Sequence, residues 1–217
     1  MSGRYLAASD LPDAIPVFPL QGVLLLPRGQ LPLNVFEPRY LAMVDAALKG
    51  ERLIGMIQPT EPEEKTLTPA LSSVGCVGRL SAYRETDDGR YLITLTGLCR
   101  YRVAEELDLG TPFRQVRADF APYAADLAPA EDVDFPRDRL IGALRAYLSR
   151  RDLKADWQSV MNAPAETLVN ALAMLCPFEP PEKQALLEAQ DWGERVAILV
   201  ALLEMASAGA GGPASIN

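Results

Sequence analysis

Histidine is absent from the 217 residues of this chain. Without an imidazole, the chain cannot be a Ser-His-Asp or Cys-His hydrolase, and it cannot hold zinc through histidine. Phosphate-binding loops are also missing, because neither GxxxxGK(S/T) nor GxGxxG occurs in the sequence. We therefore predict that the chain is not a P-loop ATPase, that it needs no cofactor and that it has no metal site.

Cysteine is rare, and its three positions, Cys76, Cys99 and Cys176, contain no Cys-x-x-Cys pair. This scarcity predicts buried free thiols in a reducing compartment rather than a disulfide framework. Long apolar runs are lacking too: the longest, Val196–Leu203, has eight residues, whereas a membrane span needs about 20. Residues 1–13 contain no apolar run of signal-peptide length. We expect a cytoplasmic protein that does not contact a membrane.

Basic residues are fewer than acidic ones: the chain has 21 Lys and Arg against 29 Asp and Glu, which gives a net charge of −8. Nucleic-acid binding depends on clustered basic residues, so we predict no nucleic-acid partner. Each of the four lysines, Lys49, Lys65, Lys154 and Lys183, stands in a polar context and is predicted to be solvated. A catalytic Ser–Lys dyad needs a desolvated lysine, so this pattern disfavours such a hydrolase.

The first half of the chain contains short apolar segments interrupted by prolines, with the turn-type tripeptide Asp87-Asp88-Gly89 further along. Because proline lacks an N–H group, Pro32 indicates an edge or start position in a strand. The Asp-Gly pair predicts a type I′ hairpin, and three- and four-residue apolar spacing from Tyr40 to Leu48 predicts one helix. The predicted strands are Ile15–Leu20, Val23–Leu26, Leu31–Phe36, Arg52–Ile57, Ser73–Tyr83, Tyr91–Thr96, Tyr101–Glu106 and Phe113–Phe120.

These elements predict an α+β fold. Residues 14–122 are expected to form a curled, mostly antiparallel sheet or pseudo-barrel with one inserted helix. Residues 1–13 are predicted to be a flexible lead-in, and residues 123–136, rich in Ala, Pro, Asp and Glu, a linker. Residues 137–206 contain four stretches with helical periodicity, which predict a C-terminal helical bundle, and residues 207–217 are predicted to be a disordered tail.

The densest local signature is Phe-Glu-Pro-Arg-Tyr at Phe36–Tyr40. In a structural interpretation, Phe36 ends a strand, Pro38 begins a helix, Arg39 pairs with a carboxylate and Tyr40 packs inward. In a functional interpretation, Phe36 and Tyr40 border a groove for peptide side chains. These two residues are the candidate substrate-binding residues, and no catalytic residue is predicted.

Three blocks of the sequence, taken in order, resemble the Lon N-terminal domain family. They are Ile15–Pro27 with Phe36–Tyr40, Val74–Gly78 with Thr94–Val103, and Glu182–Glu188 followed by Trp192–Arg195. The resemblance covers residues 14–206 and implies a curled β-domain with a helical bundle that engages polypeptide substrates. Within this family the chain resembles the stand-alone, single-domain members. The ATPase and Ser–Lys protease domains of full-length members have no counterpart in these residues.

Two functions of different classes follow. The first is a non-enzymatic module that binds unfolded or extended polypeptides, by strand addition or in a groove between lobes, as an adaptor in protein quality control or together with a protease. The second is a regulatory or assembly protein that binds one folded partner or itself through the apolar helix Val196–Leu203. A hydrolase or small-ligand binder has the least support, since histidine is absent. The oligomeric state does not follow from the sequence.

Overall fold

A computed structural model describes residues 5–61, 68–128 and 135–208. The chain divides into two compact units, residues 1–129 and residues 130–217. The strands are β1 (Ala14–Pro19), β2 (Gln30–Val35), β3 (Leu53–Pro59), β4 (Leu71–Glu85), β5 (Tyr91–Leu107) and β6 (Gln115–Asp119). The α-helices are α1 (Pro38–Lys49), α2 (Arg137–Arg150), α3 (Trp157–Asn162), α4 (Ala165–Leu175), α5 (Pro180–Glu188) and α6 (Trp192–Ala208).

The first unit is one six-stranded sheet in the order β2-β5-β4-β3-β1-β6. The β1–β3 pair is parallel, and the other pairs are antiparallel. The sheet curls back on itself because β6 pairs with both β1 and the second half of β5. It is not a regular barrel, since β2 pairs with the first half of β5 beyond the closed part. The predicted curled, mostly antiparallel sheet with one inserted helix and a C-terminal helical part is confirmed.

The hydrophobic core of this unit lies inside the curled sheet, where Tyr101 is fully buried. Its hydroxyl lies over two glycines, Gly55 on β3 and Gly75 on β4. A Cβ built on Gly55 would stand 2.6 Å from Tyr101 Oη, and one on Gly75 would overlap the same atom. Glycine at both positions therefore makes room for the ring. The Tyr101 hydroxyl has no hydrogen-bond partner among the described residues, and burial raises the Tyr101 pKa well above its usual value.

A buried ion pair connects β5 to the 3-10 helix Ala121–Leu127. Arg100 donates from Nε to Asp126 Oδ2 and from Nη2 to Asp126 Oδ1, both at 2.9 Å, and its backbone N–H donates to Oδ2 at 3.0 Å. The Arg100 guanidinium also lies 4.5 Å from the ring centre of Tyr123. Residues 121–127 are thus part of the first unit, whereas the sequence had suggested a linker from residue 123 onward.

Several elements differ from the sequence expectations. The apolar segment Val23–Leu26 is not a strand, although Leu24, Leu25 and Leu26 are buried. The segments Tyr91–Thr96 and Tyr101–Glu106 belong to one long strand, β5, whose pairing with β4 shifts register beyond Gly97. The predicted hairpin is confirmed, but only Gly89 in its turn has a positive φ, of 77°. A type I′ turn needs two such residues, so the turn type is wrong.

The second unit consists, in its described part, of the five helices α2 to α6, one more than predicted. The missed helix α3 is short, and Asp156 caps it by accepting hydrogen bonds from the backbone N–H groups of Gln158 and Ser159. Helix α6 packs against α2 and α5. Lys183 is buried rather than solvated, and desolvation lowers its pKa.

Candidate functional site

The two candidate substrate-binding residues occupy opposite environments. Phe36 follows β2 directly, and its side chain is 59% exposed. Tyr40, on the first turn of α1, is only 4% exposed, and its ring centre lies 4.2 Å from that of Phe18. The structure therefore places Phe36 at the surface and Tyr40 in the core, and it does not bring the two together as walls of one groove.

The residues between them have the roles that the structural interpretation assigned. Pro38 is the first residue of α1. Arg39 Nε donates to the carboxylate of Glu37 at 2.9 Å, and its guanidinium lies 4.4 Å from the ring centre of Tyr40. These contacts fix the entry of the chain into α1 and leave Phe36 pointing outward. Arg90, in the β4–β5 turn, lies 5.5 Å from the ring centre of Phe36.

A shallow depression of about 480 Å³ lies close to Phe36 in sequence, on the part of the sheet formed by β2, β5 and β4. We call it the sheet depression, and it is lined by Pro32, Leu33, Asn34, Ala82, Tyr83, Arg84, Leu92, Ile93 and Thr94. The lining is mainly apolar, and most of it is at least partly exposed. Such an open, apolar surface is suited to an extended polymer rather than to a small molecule, which needs an enclosed cavity.

Tyr83 and Tyr91 stand on adjacent strands beside the sheet depression. Their rings meet edge to face with centres 5.1 Å apart. Tyr91 donates a hydrogen bond to Asp45 at 3.1 Å, and desolvation together with this contact raises the Tyr91 pKa to about 12. Tyr91 is therefore a fixed, neutral phenol, whereas Tyr83 is exposed and available for contact with a ligand.

Strand β2 adds a second feature to this surface. It pairs only with β5 among the described strands, so its other long side is a sheet edge. Pro32 had indicated an edge position from the sequence, and the sheet order agrees with that indication. The sequence did not indicate that Tyr83 and Leu92 are partly exposed. The residue pattern of a strand is the same whether other elements cover its face of the sheet or solvent does.

Groups suited to catalysis do not converge in the described part of the chain. No cluster of acidic or cysteine side chains there could hold a metal ion. All three cysteines are free and buried, and burial raises the pKa of the Cys99 thiol to about 12 and that of Cys176 to about 11. Such thiols are poor nucleophiles, since the thiolate is the reactive form.

Helix α6, which carries the apolar run Val196–Leu203, turns its larger side chains inward. Val196, Leu199, Val200 and Leu203 are buried, and alanines make up the exposed positions within the run. A pocket of about 160 Å³ lies beside this helix, next to Trp192, and has room for little more than one side chain. Most of the large apolar side chains of this run are thus covered within the second unit, whereas the assembly hypothesis needs them on an exposed face. No helix in the described ranges combines the length and apolar character needed to span a bilayer.

The fold is that of Lon N-terminal domains. The chain superimposes on the crystal structure of a Lon N-terminal domain protein from Xanthomonas campestris with a TM-score of 0.59 at 22% identity, covering 87% of this chain and 97% of that one. The N-terminal domain of Lon protease from the Mycobacterium avium complex gives a TM-score of 0.62 at 17% identity, covering 91% and 99%.

The model of the ATP-dependent protease La (LON) substrate-binding domain matches residues 14–205, and the chain belongs to this family. Lon protease 2 of Myxococcus xanthus is 26% identical over 203 residues, and Lon protease 2 of Sorangium cellulosum is 29% identical over 201 residues. The matches cover 89% and 88% of this chain but 24% of each relative. The chain thus spans about a quarter of the length of these curated relatives.

Proposed function

We propose that this chain is a non-enzymatic polypeptide-binding module that recognises unfolded or extended segments of other proteins. The observation that carries the proposal is the sheet depression, an exposed apolar surface beside the open edge of β2. The family to which the chain belongs is described as a substrate-binding domain, and this supports the same role. A protease that receives the bound polypeptide is the natural partner, with the chain acting as an adaptor in protein quality control.

The physical basis of binding is burial of apolar surface without deep side-chain pockets. Pro32, Phe36 and Leu92 expose apolar atoms that a bound chain would remove from water, at roughly 25 cal/mol for each Å². A surface of this kind selects for exposed apolar segments, which folded proteins conceal, and tolerates many sequences. The net charge of −8 makes nucleic acid an unsuitable ligand. Three buried free thiols are consistent with a cytoplasmic location.

The test is direct binding of an unfolded probe. Reduced and carbamidomethylated ribonuclease A stays unfolded, and native ribonuclease A is a control of the same sequence and nearly the same charge. We expect fluorescence anisotropy to detect micromolar binding of the unfolded form only. Equal binding of both forms, or of neither, would remove the proposal.

Two matched variants locate the site. Phe36 is 59% exposed and Leu109 is 57% exposed, so Phe36→Asp and Leu109→Asp introduce the same charge at equally exposed apolar positions of the same unit. We expect Phe36→Asp to weaken binding of the unfolded probe at least fivefold and Leu109→Asp to leave it unchanged. Circular dichroism checks that both variants are folded. A single folded partner or a discrete homo-oligomer seen by light scattering, without binding of the probe, would favour the assembly role instead.

A further inference from the structure

The hydrogen bonds next to β2 determine which of its backbone groups face outward. Gly97 donates from its backbone N–H to Gly29 O at 2.9 Å, and these residues stand opposite each other in the register that pairs Leu31 with Leu95. Along an antiparallel pair, hydrogen-bonded and non-hydrogen-bonded positions alternate. The odd-numbered residues of β2 therefore bond to β5, and the even-numbered residues, Gln30, Pro32 and Asn34, direct their backbone groups away from it.

These outward groups form a row of sites at the sheet edge. In the described part of the chain, no backbone hydrogen bond reaches them from outside the β2–β5 pair. Gln30 and Asn34 each present an N–H and a carbonyl, while Pro32 presents only a carbonyl because its nitrogen carries no hydrogen. Gln30, Pro32 and Asn34 are also exposed along the strand. The edge thus offers three acceptors and two donors to an added strand.

The two faces at this edge supply contacts for side chains. The side chains of Leu31 and Leu33 are half-buried on one face, and those of Pro32 and Asn34 are exposed on the other face. Pro32 and Asn34 share that face with their β5 partners Thr94 and Leu92, which also line the sheet depression. Successive side chains of a strand point to opposite faces. An added strand would therefore place alternate side chains against Leu31 and Leu33 and the intervening ones over the sheet depression.

Pro32 favours an extended peptide over a second copy of this chain as the added strand. If two copies of this chain paired fully overlapped and antiparallel along β2, Pro32 would stand opposite Pro32, and no hydrogen bond could form at the centre. An extended peptide supplies its own N–H groups, so it loses only the one bond that Pro32 cannot donate. Proline on an exposed edge is a recognised device against edge-to-edge association. The edge therefore suits an extended peptide better than a second copy.

We infer that a polypeptide substrate binds as an additional strand on the open edge of β2, through backbone hydrogen bonds to Gln30, Pro32 and Asn34. This inference rests on the proposed function and specifies its ligand: extended segments with apolar residues at alternate positions. Because backbone groups carry the recognition, the side-chain sequence of the substrate matters only through the contacts on the two faces.

The test changes single backbone donors while leaving the β2–β5 pairing intact. Asn34→Pro removes an outward N–H, and Asn34→Ala keeps it while removing the side chain. Pro32→Val adds an outward N–H. The probe is a fluorescein-labelled peptide, Lys-Val-Thr-Val-Thr-Val-Thr-Lys, titrated in fluorescence anisotropy. From the net value of one hydrogen bond we expect Asn34→Pro to weaken binding about threefold to tenfold, Pro32→Val to strengthen it by a similar factor, and Asn34→Ala to change it little.

The outcomes separate this inference from the proposed function. If the wild-type chain binds unfolded ribonuclease A but Asn34→Pro and Pro32→Val bind the peptide like the wild type, edge addition is wrong and the binding-module proposal stands. If the wild-type chain binds neither probe, the proposed function itself fails. Concentration-dependent dimers of Pro32→Val without tighter peptide binding would assign the edge to a second copy. If Asn34→Pro is unfolded by circular dichroism, the Pro32→Val result decides.

Discussion

Removing the carboxylate of Asp126 is expected to destabilise the first unit strongly. Asp126 accepts three hydrogen bonds from Arg100, two from the guanidinium at 2.9 Å and one from the backbone N–H at 3.0 Å. Both residues are buried, at 5% and 9% exposure. In Asp126→Ala the buried guanidinium loses two hydrogen bonds and the opposite charge of Asp126, and the backbone N–H of Arg100 loses its hydrogen bond to that carboxylate.

The magnitude follows from these contacts. Breaking a buried ion pair from one side costs about 3–5 kcal/mol, whereas the cation–π contact with Tyr123 stays and retains about 0.5–1 kcal/mol. The hydrogen bond from Arg28 to the Asp126 carbonyl also stays, because it uses the backbone. We therefore expect Asp126→Ala to lower the free energy of unfolding by about 3 kcal/mol. The double variant Arg100→Met with Asp126→Leu buries no charge and should lie within about 1 kcal/mol of the wild type.

The assay must follow the first unit alone. Both tryptophans, Trp157 and Trp192, lie in the second unit, whereas six of the seven tyrosines, at positions 5, 40, 83, 91, 101 and 123, lie in the first. Urea denaturation followed by tyrosine fluorescence, with both tryptophans replaced by phenylalanine, therefore reports on the ion pair. The control is Asp126→Ala with both tryptophans retained. The urea midpoint that tryptophan fluorescence reports for the second unit should be the same in this variant as in the wild type. A loss below about 1 kcal/mol in Asp126→Ala, or a double variant as unstable as the sum of the two single variants, would show that the ion pair does not stabilise the first unit in this way.

Four further outcomes follow from the core. Tyr101→Phe should leave stability unchanged or raise it by about 1 kcal/mol, because the buried hydroxyl lacks a partner among the described residues; a loss above that in urea denaturation would contradict this. Gly75→Ala should cost about 2 kcal/mol or more, because its Cβ would overlap Tyr101 and stand 2.6 Å from the Met56 carbonyl oxygen. Cys99 and Cys176 should react slowly with a thiol reagent at pH 8 in the native state and rapidly in urea, since burial raises both pKa values; fast native reaction would disprove their burial. The lowered pKa of Lys183 means that the folded state loses this proton at a lower pH than the unfolded state. Wild-type stability relative to Lys183→Met should therefore rise with pH between the folded value and 10.5, and a constant or falling difference in urea titrations would contradict this.

Most strands and helices could be predicted from the sequence because their signals are local. The short apolar segments of β1 and β2, the helical spacing of α1 and the glycine of the β4–β5 turn are each signals that extend over a few residues. The predictions from sequence were wrong where an apolar segment can be buried either as a separate strand or in another way. Val23–Leu26 is apolar because it is buried, and burial by itself does not require a partner strand. The apolar residues of β5 continue past Gly97, where a register shift, rather than a turn, absorbs the irregularity.

The sequence predicted the candidate residues of the site only in part, because it did not indicate which of them are buried. Phe36 and Tyr40 stand four residues apart with similar composition around them, but their burial differs because α1 turns Tyr40 onto Phe18 and leaves Phe36 outside. Lys183 had a polar sequence context, and its burial arises from the packing of α4 and α5. In each case the environment comes from residues distant in the chain.

The residue types and their order are enough to exclude imidazole and P-loop chemistry, to predict a β-rich part followed by a helical part, and to place Pro32 at a strand edge. The tertiary structure alone decided that the side of β2 next to Pro32 is open, because that depends on the order of the strands. It also placed Leu92 on the same face of the sheet as Pro32 and Asn34 of β2, because Leu92 pairs with Asn34. Local sequence records what each segment prefers, whereas sheet order and exposure result from contacts between segments far apart in the chain, which no local pattern encodes.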